Sequence, residues 1–426
     1  MLGGSPFQVP CIQYAKSAGY YVITCDYCPD NPGHQFSNEY HNVSTTDLKA
    51  VLQLARKLKI DGILAYASDP AAPTAAYVAE KMGLPGNPYK SVKILSEKDF
   101  YRSFLRMNKF NTPWYGGFNS LEDFASGSSQ FTYPVIVKPV DSSGSKGITA
   151  VNDFWKMSQA INYAIKYSRR KRFIVEEFIE KKYPQLDGDI FVYNGKIIAY
   201  YLGDQRNDVN VNPFVPSSIN YPSLLPDELH KKIQSELQRA INLLKIRFGG
   251  FNIEVIIDTD DNIYLIEIGA RNGGNCIPEI IKCASNVDMI KMSVDACMGK
   301  EPKIHDRKEI DKFYTTYVIH SNKDGRFKRV NLHESISDYV LDIKLMVEEG
   351  GEVFKFNGSN CTVGVGLLEF PNLDVRDEMM ENIEELIAVE LEEEIEKVKS
   401  HASTPLSNQK VERLRFDSTR QPKVKE

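Results

Sequence analysis

Apolar positions along the chain switch between helical spacing and strict alternation. In residues 1–90, Val22-Ile23-Thr24-Cys25 and Gly62-Ile63-Leu64-Ala65-Tyr66 read as short buried strands. Between them Leu48, Val51, Leu52, Ala55 and Leu58 predict a helix over 47–58. Strand–helix alternation implies parallel strands with crossover helices and ligands beyond the strand C-termini. The first strand is short, because Met1-Leu2 runs straight into Gly3; either it is stunted or the true start lies upstream. Further on, helices are predicted over 97–108, 154–168, 226–244 and 277–298, and strands over 133–139 and 173–180. A hairpin over 189–201 turns at Asn194-Gly195, a dipeptide suited to tight hairpins. Strands around 313–319, 340–346 and 362–370 then precede a helix over 377–398, with Ile383, Ile387, Leu391 and Ile395 on one stripe. From Ser400 the chain is polar and aperiodic, the pattern of a disordered tail.

Residues 250–270 carry the most specific signal. Two alternating runs flank the turn-forming cluster Asp258-Thr259-Asp260-Asp261-Asn262. A register centred on Asp260 and Asp261 pairs Asp258 with Ile263, Ile256 with Leu265, and Glu254 with Glu267. Phe251, Ile253, Val255, Ile257, Tyr264, Ile266 and Ile268 then form a wholly apolar opposite face. Facing carboxylates about 5 Å apart destabilise a sheet. A hard divalent cation, Mg2+ above all, resolves the conflict. A slip of one residue would instead leave one glutamate solvated.

Composition narrows the class. The 426 residues imply two or three domains. A net charge of -5 and a pI near 5.9 argue against nucleic-acid binding. The basic run Arg169-Arg170-Lys171-Arg172 reads as a solvated helix end. No apolar run reaches membrane-spanning length, and no secretory pattern opens the chain. Seven scattered cysteines suit a reducing cytoplasm. Cys25 and Cys28 have metal-like spacing but no second pair, so a structural role is expected.

Two loops bear candidate chemistry. Lys138 leaves a strand just before Asp141-Ser142-Ser143-Gly144-Ser145-Lys146-Gly147-Ile148, and such a loop offers N–H groups and hydroxyls to phosphate oxygens. Its lysine precedes the glycines, so it is no Walker loop; the plain alternative is a flexible connector. Gly3-Gly4-Ser5 lacks a third glycine and meets Pro6, so it is read as a turn facing a small-molecule substrate. Arg271, with Asn272 and Asn275 in a glycine-rich turn after Glu267, would suit an anionic intermediate.

The ordered set Lys98, Lys138, the serine-glycine loop, Glu176-Glu177-Phe178-Ile179, Glu254, Glu267 and Arg271 resembles the ATP-grasp superfamily. Nearer likenesses are the carbamoyl-phosphate synthase large chain, biotin carboxylase and the purine-pathway ligases. The likeness spans roughly residues 1–300. It implies an α/β and α+β multidomain chain: a Rossmann-like domain over 1–95, a two-lobed ATP-grasp domain over 96–300 with a lid near 112–180, a small α+β unit over 301–399, and the tail over 400–426. It implies that Lys98 and Lys138 contact ATP, that Ser142, Ser143, Gly144, Ser145, Lys146 and Gly147 close over phosphates, and that Glu176, Glu177, Phe178 and Ile179 form the adenine hinge. Gln185, Asp187 and Asp189 are candidates for the ribose, with Asp187 preferred. Glu254 and Glu267 match the Mg2+ ligands, Mn2+ being an alternative ion. Where the family commonly has asparagine, two residues after the second glutamate, this chain has Gly269. Asn272 or Asn275 could substitute, or Glu267 could bridge two ions with water.

The activity so implied is an Mg-ATP-dependent ligase. It activates a carboxylate as an acyl phosphate and passes it to an amine or similar nucleophile, with Lys138 and Arg271 in catalytic roles. The alternatives are a bicarbonate-using carboxylase and a non-catalytic ATP-binding regulator. Small-molecule substrates, no nucleic acid, no membrane and a cytoplasmic setting are expected, with a homodimer left open. Asp26, Asp69, Asp204 and Arg206 join Arg271 as candidate substrate contacts.

Overall fold

A computed structural model describes residues 1–127, 131–208, 213–304 and 306–392. The tail at 400–426 and Ile395 lie outside them. Among the described residues the strands form four sheets, and no helix is long and apolar enough to cross a membrane.

The N-terminal segment folds around a parallel pair, Ile23–Asp26 with Glu39–Asn42. Residues 62–66 were expected as a strand. They run beside Leu2, whose N–H bonds the Leu64 carbonyl, without joining a ladder. Helix Leu48–Leu58 forms where its periodicity places it, with the Asp47 carboxylate capping two backbone N–H groups. The Gly3-Gly4-Ser5 turn is packed against its neighbours. The Gly4 N–H bonds Asp26 Oδ2 at 3.0 Å, and a Cβ on Gly4 would lie 2.3 Å from the His34 ring.

A four-stranded antiparallel sheet follows: Tyr115–Phe118, Phe173–Glu177, Val135–Pro139 and Thr149–Val151. Helix Met157–Tyr167 buries Met157, Ala160, Ile161 and Ala164 against it. The arginine run after this helix is not simply solvated. Arg170 pairs with Glu97, and Arg172 with Asp99, on the helix Lys98–Met107 and its N-cap. Arg169 donates to the Asp141 carbonyl. Arg170 and Arg172 thus stitch this small capping sheet to the helix that begins at Lys98.

The largest sheet has eight strands. Its order from one edge is Ile263–Gly269, Phe248–Ile257, Leu186–Tyr193, Lys196–Asn207, Pro216–Tyr221, Phe313–Ile319, Gly364–Phe370 and Val340–Leu345. The boundary expected at 300/301 therefore falls inside one continuous sheet, since Pro216–Tyr221 bonds directly to Phe313–Ile319. Two expected helices differ. The 277–298 pattern breaks at Asn286, whose φ is +62°, into Ile277–Ser285 and Met289–Cys297. The 377–398 pattern gives Leu373–Glu381, Ile383–Leu386 and then strand Ile387–Leu391, paired with Gly325–Leu332. Ile387 and Leu391 satisfy a helical stripe and a half-buried strand alike, and β-sheet pairing wins.

In the 250–270 hairpin, Glu254 does pair with Glu267, but Ile256 pairs with Tyr264 and Ile257 with Ile263. A bulge at Ile266 reconciles the two halves. It also exchanges faces: Leu265 enters the core with Ile253, Val255, Ile257 and Ile268, while Ile266 lines a cleft. Leu265→Ala should therefore cost about 2–5 kcal/mol. Ile266→Ala should cost under about 1.5 kcal/mol and weaken ligand binding instead. Urea denaturation of the two variants checks this; equal losses would contradict the bulge.

Candidate active site

Alternation along three adjacent strands brings three carboxylates into line. Asp187 lies opposite Glu254, and Glu254 opposite Glu267. Across from this row stand two lysines. The Lys98 ammonium lies 3.6 Å from Glu267 and donates to the Ser142 carbonyl at 2.8 Å. The Lys138 ammonium lies 2.7 Å from Glu176. All except Glu176 line one cleft, together with Arg271, Asp69 and residues 142–146 of the serine-glycine loop. That cleft continues, through Lys138, Ser145 and Ile148, into a slot lined by Phe178, Ile179 and Lys181.

Glu176 lies at the expected hinge and lines this slot. Its carboxylate is fully buried, 2.7 Å from Arg102 Nε and 2.7 Å from Lys138. Burial alone would raise its carboxyl, but the Arg102 and Lys138 charges hold it down at about 2. Its side chain is thus committed within the protein. Glu177 is exposed and accepts weakly from the Trp114 N–H. Phe178 and Ile179 supply the apolar wall of the slot.

The loop is docked rather than loose. Asp141 at its base accepts from the Ser168 hydroxyl and the Arg170 N–H. The Gly144 carbonyl accepts from the Ser359 N–H. Gly147 has φ +79°, and a Cβ there would meet Pro139 at 2.8 Å, so only glycine fits without strain; it does not line the cleft. Burial lowers the Lys146 ammonium.

Arg271 is held bidentate by Asp69, at 2.8 and 2.6 Å, and also donates to the Asn272 carbonyl. One hydrogen on each terminal nitrogen is left for the cleft. Gly269 lies against this pair: a Cβ there would come within 3.2 Å of Asp69 Oδ1. Of the two substitutes considered, Asn272 is buried and turned away, bonded to Asp189 and Ser293. Asn275 faces the cleft. Asp189 is likewise turned away, accepting from the Gly273 N–H and Asn272, whereas Gln185 donates to Glu254. Asp26 accepts from Gly4 and Asn31, Asp204 accepts from Ser223 and Leu224, and Arg206 is exposed.

Residues 131–279 match the ATP-grasp domain family. Over nearly the whole chain, the backbone superposes on an L-amino acid ligase from Bacillus licheniformis, with TM-score 0.77, 20% identity, and 92% of this chain and 98% of that one covered. The chain has the ATP-grasp fold. Phosphoribosylglycinamide synthetase from Anaerococcus prevotii is similar at TM-score 0.71 and 21% identity, covering 92% of this chain and 98% of that one. In sequence, the chain is 23% identical to an uncharacterized protein of Sinorhizobium fredii over 76% of this chain and 67% of that protein. It is also 23% identical to the carbamoyl phosphate synthase large chain of Thermotoga petrophila over 59% of this chain, but spans only 22% of that protein.

In this ATP-grasp cleft the donor chemistry fits a hard cation: an all-oxygen carboxylate row with too much negative charge for its setting. Burial, then the Glu267 and Asp187 charges, push Glu254 up to about 8. Burial, opposed by the Asn252 amide and reinforced by Asp189, puts Asp187 at about 7. The positions that sequence patterning missed are Arg102, Lys181 and Asn252. Only the pairing of Asn252 beside Glu254 on the same strand could have flagged one of them.

A pH dependence follows. The folded value of Glu254 lies above its ordinary value of 4.5, so the fold holds a proton that the unfolded chain releases. That stabilisation is full below 4.5 and is lost as pH rises through about 8. Without divalent cation, the melting temperature of wild type should fall relative to Glu254→Gln across this window, and Mg2+ should restore it. Parallel pH–melting curves for the two proteins would refute the assignment.

Proposed function

We propose that the chain is an Mg-ATP-dependent ligase that activates a carboxylate as an acyl phosphate and transfers the acyl group to an amine or similar nucleophile. The observation that carries this reading is the Asp187–Glu254–Glu267 row facing Lys98 and Lys138 across one cleft. In this reading Glu254 and Glu267 hold Mg2+, which when bound neutralises phosphate charge. Asp187 moves from a ribose contact to a partner of the metal carboxylates. The slot walled by Phe178 and Ile179 takes the adenine. Lys98 and Lys138 steady phosphate oxygens as point charges. The loop 142–147, docked at Ser359, keeps water from the reactive acyl phosphate. The remaining Arg271 hydrogens orient the acid, with Asp69 fixing the guanidinium plane. Phosphoryl transfer needs mainly such positioning and charge neutralisation.

A bicarbonate-using carboxylase is the second reading. It is favoured by a likeness, at TM-score 0.71 and 15% identity, to the biotin carboxylase domain of the Hydrogenobacter thermophilus 2-oxoglutarate carboxylase, described in complex with MgADP and bicarbonate. The Gly269 departure keeps a non-catalytic ATP-binding protein as a third.

Hydroxylamine trapping separates them. With Mg-ATP and a library of carboxylic acids, the ligase reading expects a hydroxamate, detected by mass spectrometry. Glu267→Gln should lower its formation at least about 100-fold. ADP release that depends on bicarbonate alone would favour the carboxylase, and no ADP release with any acid or amine would favour the binder.

A further inference from the structure

Away from the carboxylate row, three side chains from distant parts of the chain converge. Asp208 follows strand Lys196–Asn207, His320 follows Phe313–Ile319, and Glu384 lies in helix Ile383–Leu386. The two strands flank Pro216–Tyr221 and are each antiparallel to it. They therefore run the same way, and their C-terminal ends place Asp208 and His320 at one end of the sheet. One ligand-capable atom from each of the three residues lies within 4.8 Å of the others.

The imidazole is the informative member. Its Nδ1 lies 2.7 Å from the Val318 carbonyl, which can only accept, so Nδ1 carries a proton. Its ring is fixed by stacking on Phe356, with centroids 4.3 Å apart. Its Nε2 is buried and makes no hydrogen bond. Nε2 instead points at Asp208 Oδ2 from 3.5 Å, too far for a charge-assisted hydrogen bond. Two ligands on a tetrahedral ion, each about 2.0–2.1 Å from it, stand about 3.4 Å apart. The observed spacing is that of a shared ion. The Nδ1–carbonyl contact is the arrangement that orients metal-binding histidines. Glu384 is exposed, shares a hydrogen bond with the Asp208 carboxyl and accepts from Asn322, so it already reaches the third position.

We propose that Asp208, His320 and Glu384 form a site for a divalent first-row transition-metal ion of the zinc type, with water as fourth ligand. One nitrogen and two carboxylate donors favour such an ion over Mg2+. The site shares no residue with the Asp187–Glu254–Glu267 row. It lies next to the cleft wall, to which Val318 and Phe356 contribute. Segment 356–362, against which the serine-glycine loop docks at Ser359, starts from the ring stacked on His320. Metal binding thus braces the wall that meets the loop and ties the 301–392 region to strand Lys196–Asn207.

The test is titration of the chelator-stripped full chain with Co2+ and Zn2+. Wild type should bind, beyond any ion at the Glu254–Glu267 row, one equivalent of Co2+ with the visible absorption of a four-coordinate nitrogen–oxygen site, and Zn2+ should raise its melting temperature. Both effects should persist in Glu267→Gln. Glu384→Gln, at an exposed position that does not threaten folding, should weaken binding at least about tenfold. His320→Ala should abolish it. No saturable binding to wild type, undiminished binding to Glu384→Gln, or an absorption band from cysteine thiolate would overturn the proposal.

Discussion

The cleft depends on one buried charged group. Arg102 sits in the helix Lys98–Met107 with its side chain almost wholly buried. Its Nε meets Glu176 on the capping sheet, and its NH1 donates to the Ile266 carbonyl at the hairpin bulge. Glu176 in turn holds Lys138. One guanidinium therefore joins the helix, the capping sheet and the hairpin edge, and satisfies the carbonyl of the residue that bulges. Removing one partner from such a group leaves a buried charge uncompensated, at a cost of about 3–5 kcal/mol. The ion pairs Arg170–Glu97 and Arg172–Asp99 repeat the same connection with more accessible arginines against buried carboxylates.

That arrangement explains why the carboxylate row exists. A regular hairpin in the observed turn register would have set Glu254 opposite Ile266. The bulge restores the pairing with Glu267, and Arg102 anchors it from behind. Electrostatic strain in the row is thus built by backbone geometry and held by a neighbouring ion network. Gly269 belongs to the same economy of space, because the Asp69–Arg271 pair lies where a longer side chain would project.

Much of this was legible in the sequence, for reasons that can be named. Alternation and turn residues are local signals, so the Glu254–Glu267 pairing and the Asn194-Gly195 hairpin could be read directly, while the bulge hid which of Leu265 and Ile266 is buried. The turn register could not, because Asp258 sets it through bonds to the Asp260 and Asn262 N–H groups. The place of Asp187 in the row was not legible, because it depends on which strand lies beside Glu254, a pairing across more than sixty residues. Arg102 looked like an ordinary charge within the Tyr101, Phe104 and Leu105 pattern. The Arg169–Arg172 run looked solvated because its partners lie at Glu97, Asp99 and Asp141. Ile387 and Leu391 fit two periods at once, and only the partner strand Gly325–Leu332 decides between them.

The continuity of the eight-stranded sheet has a consequence for how this chain can be divided. A fragment ending near the last turn of helix Met289–Cys297 would carry the whole carboxylate row, yet it would leave Pro216–Tyr221 as an open edge. That strand buries Ile219 and Tyr221 and bonds Phe313–Ile319 along its length. Uncovered, its unpaired N–H and C=O groups would recruit other chains and drive aggregation. The C-terminal region is therefore not a detachable appendage but the cover of that edge.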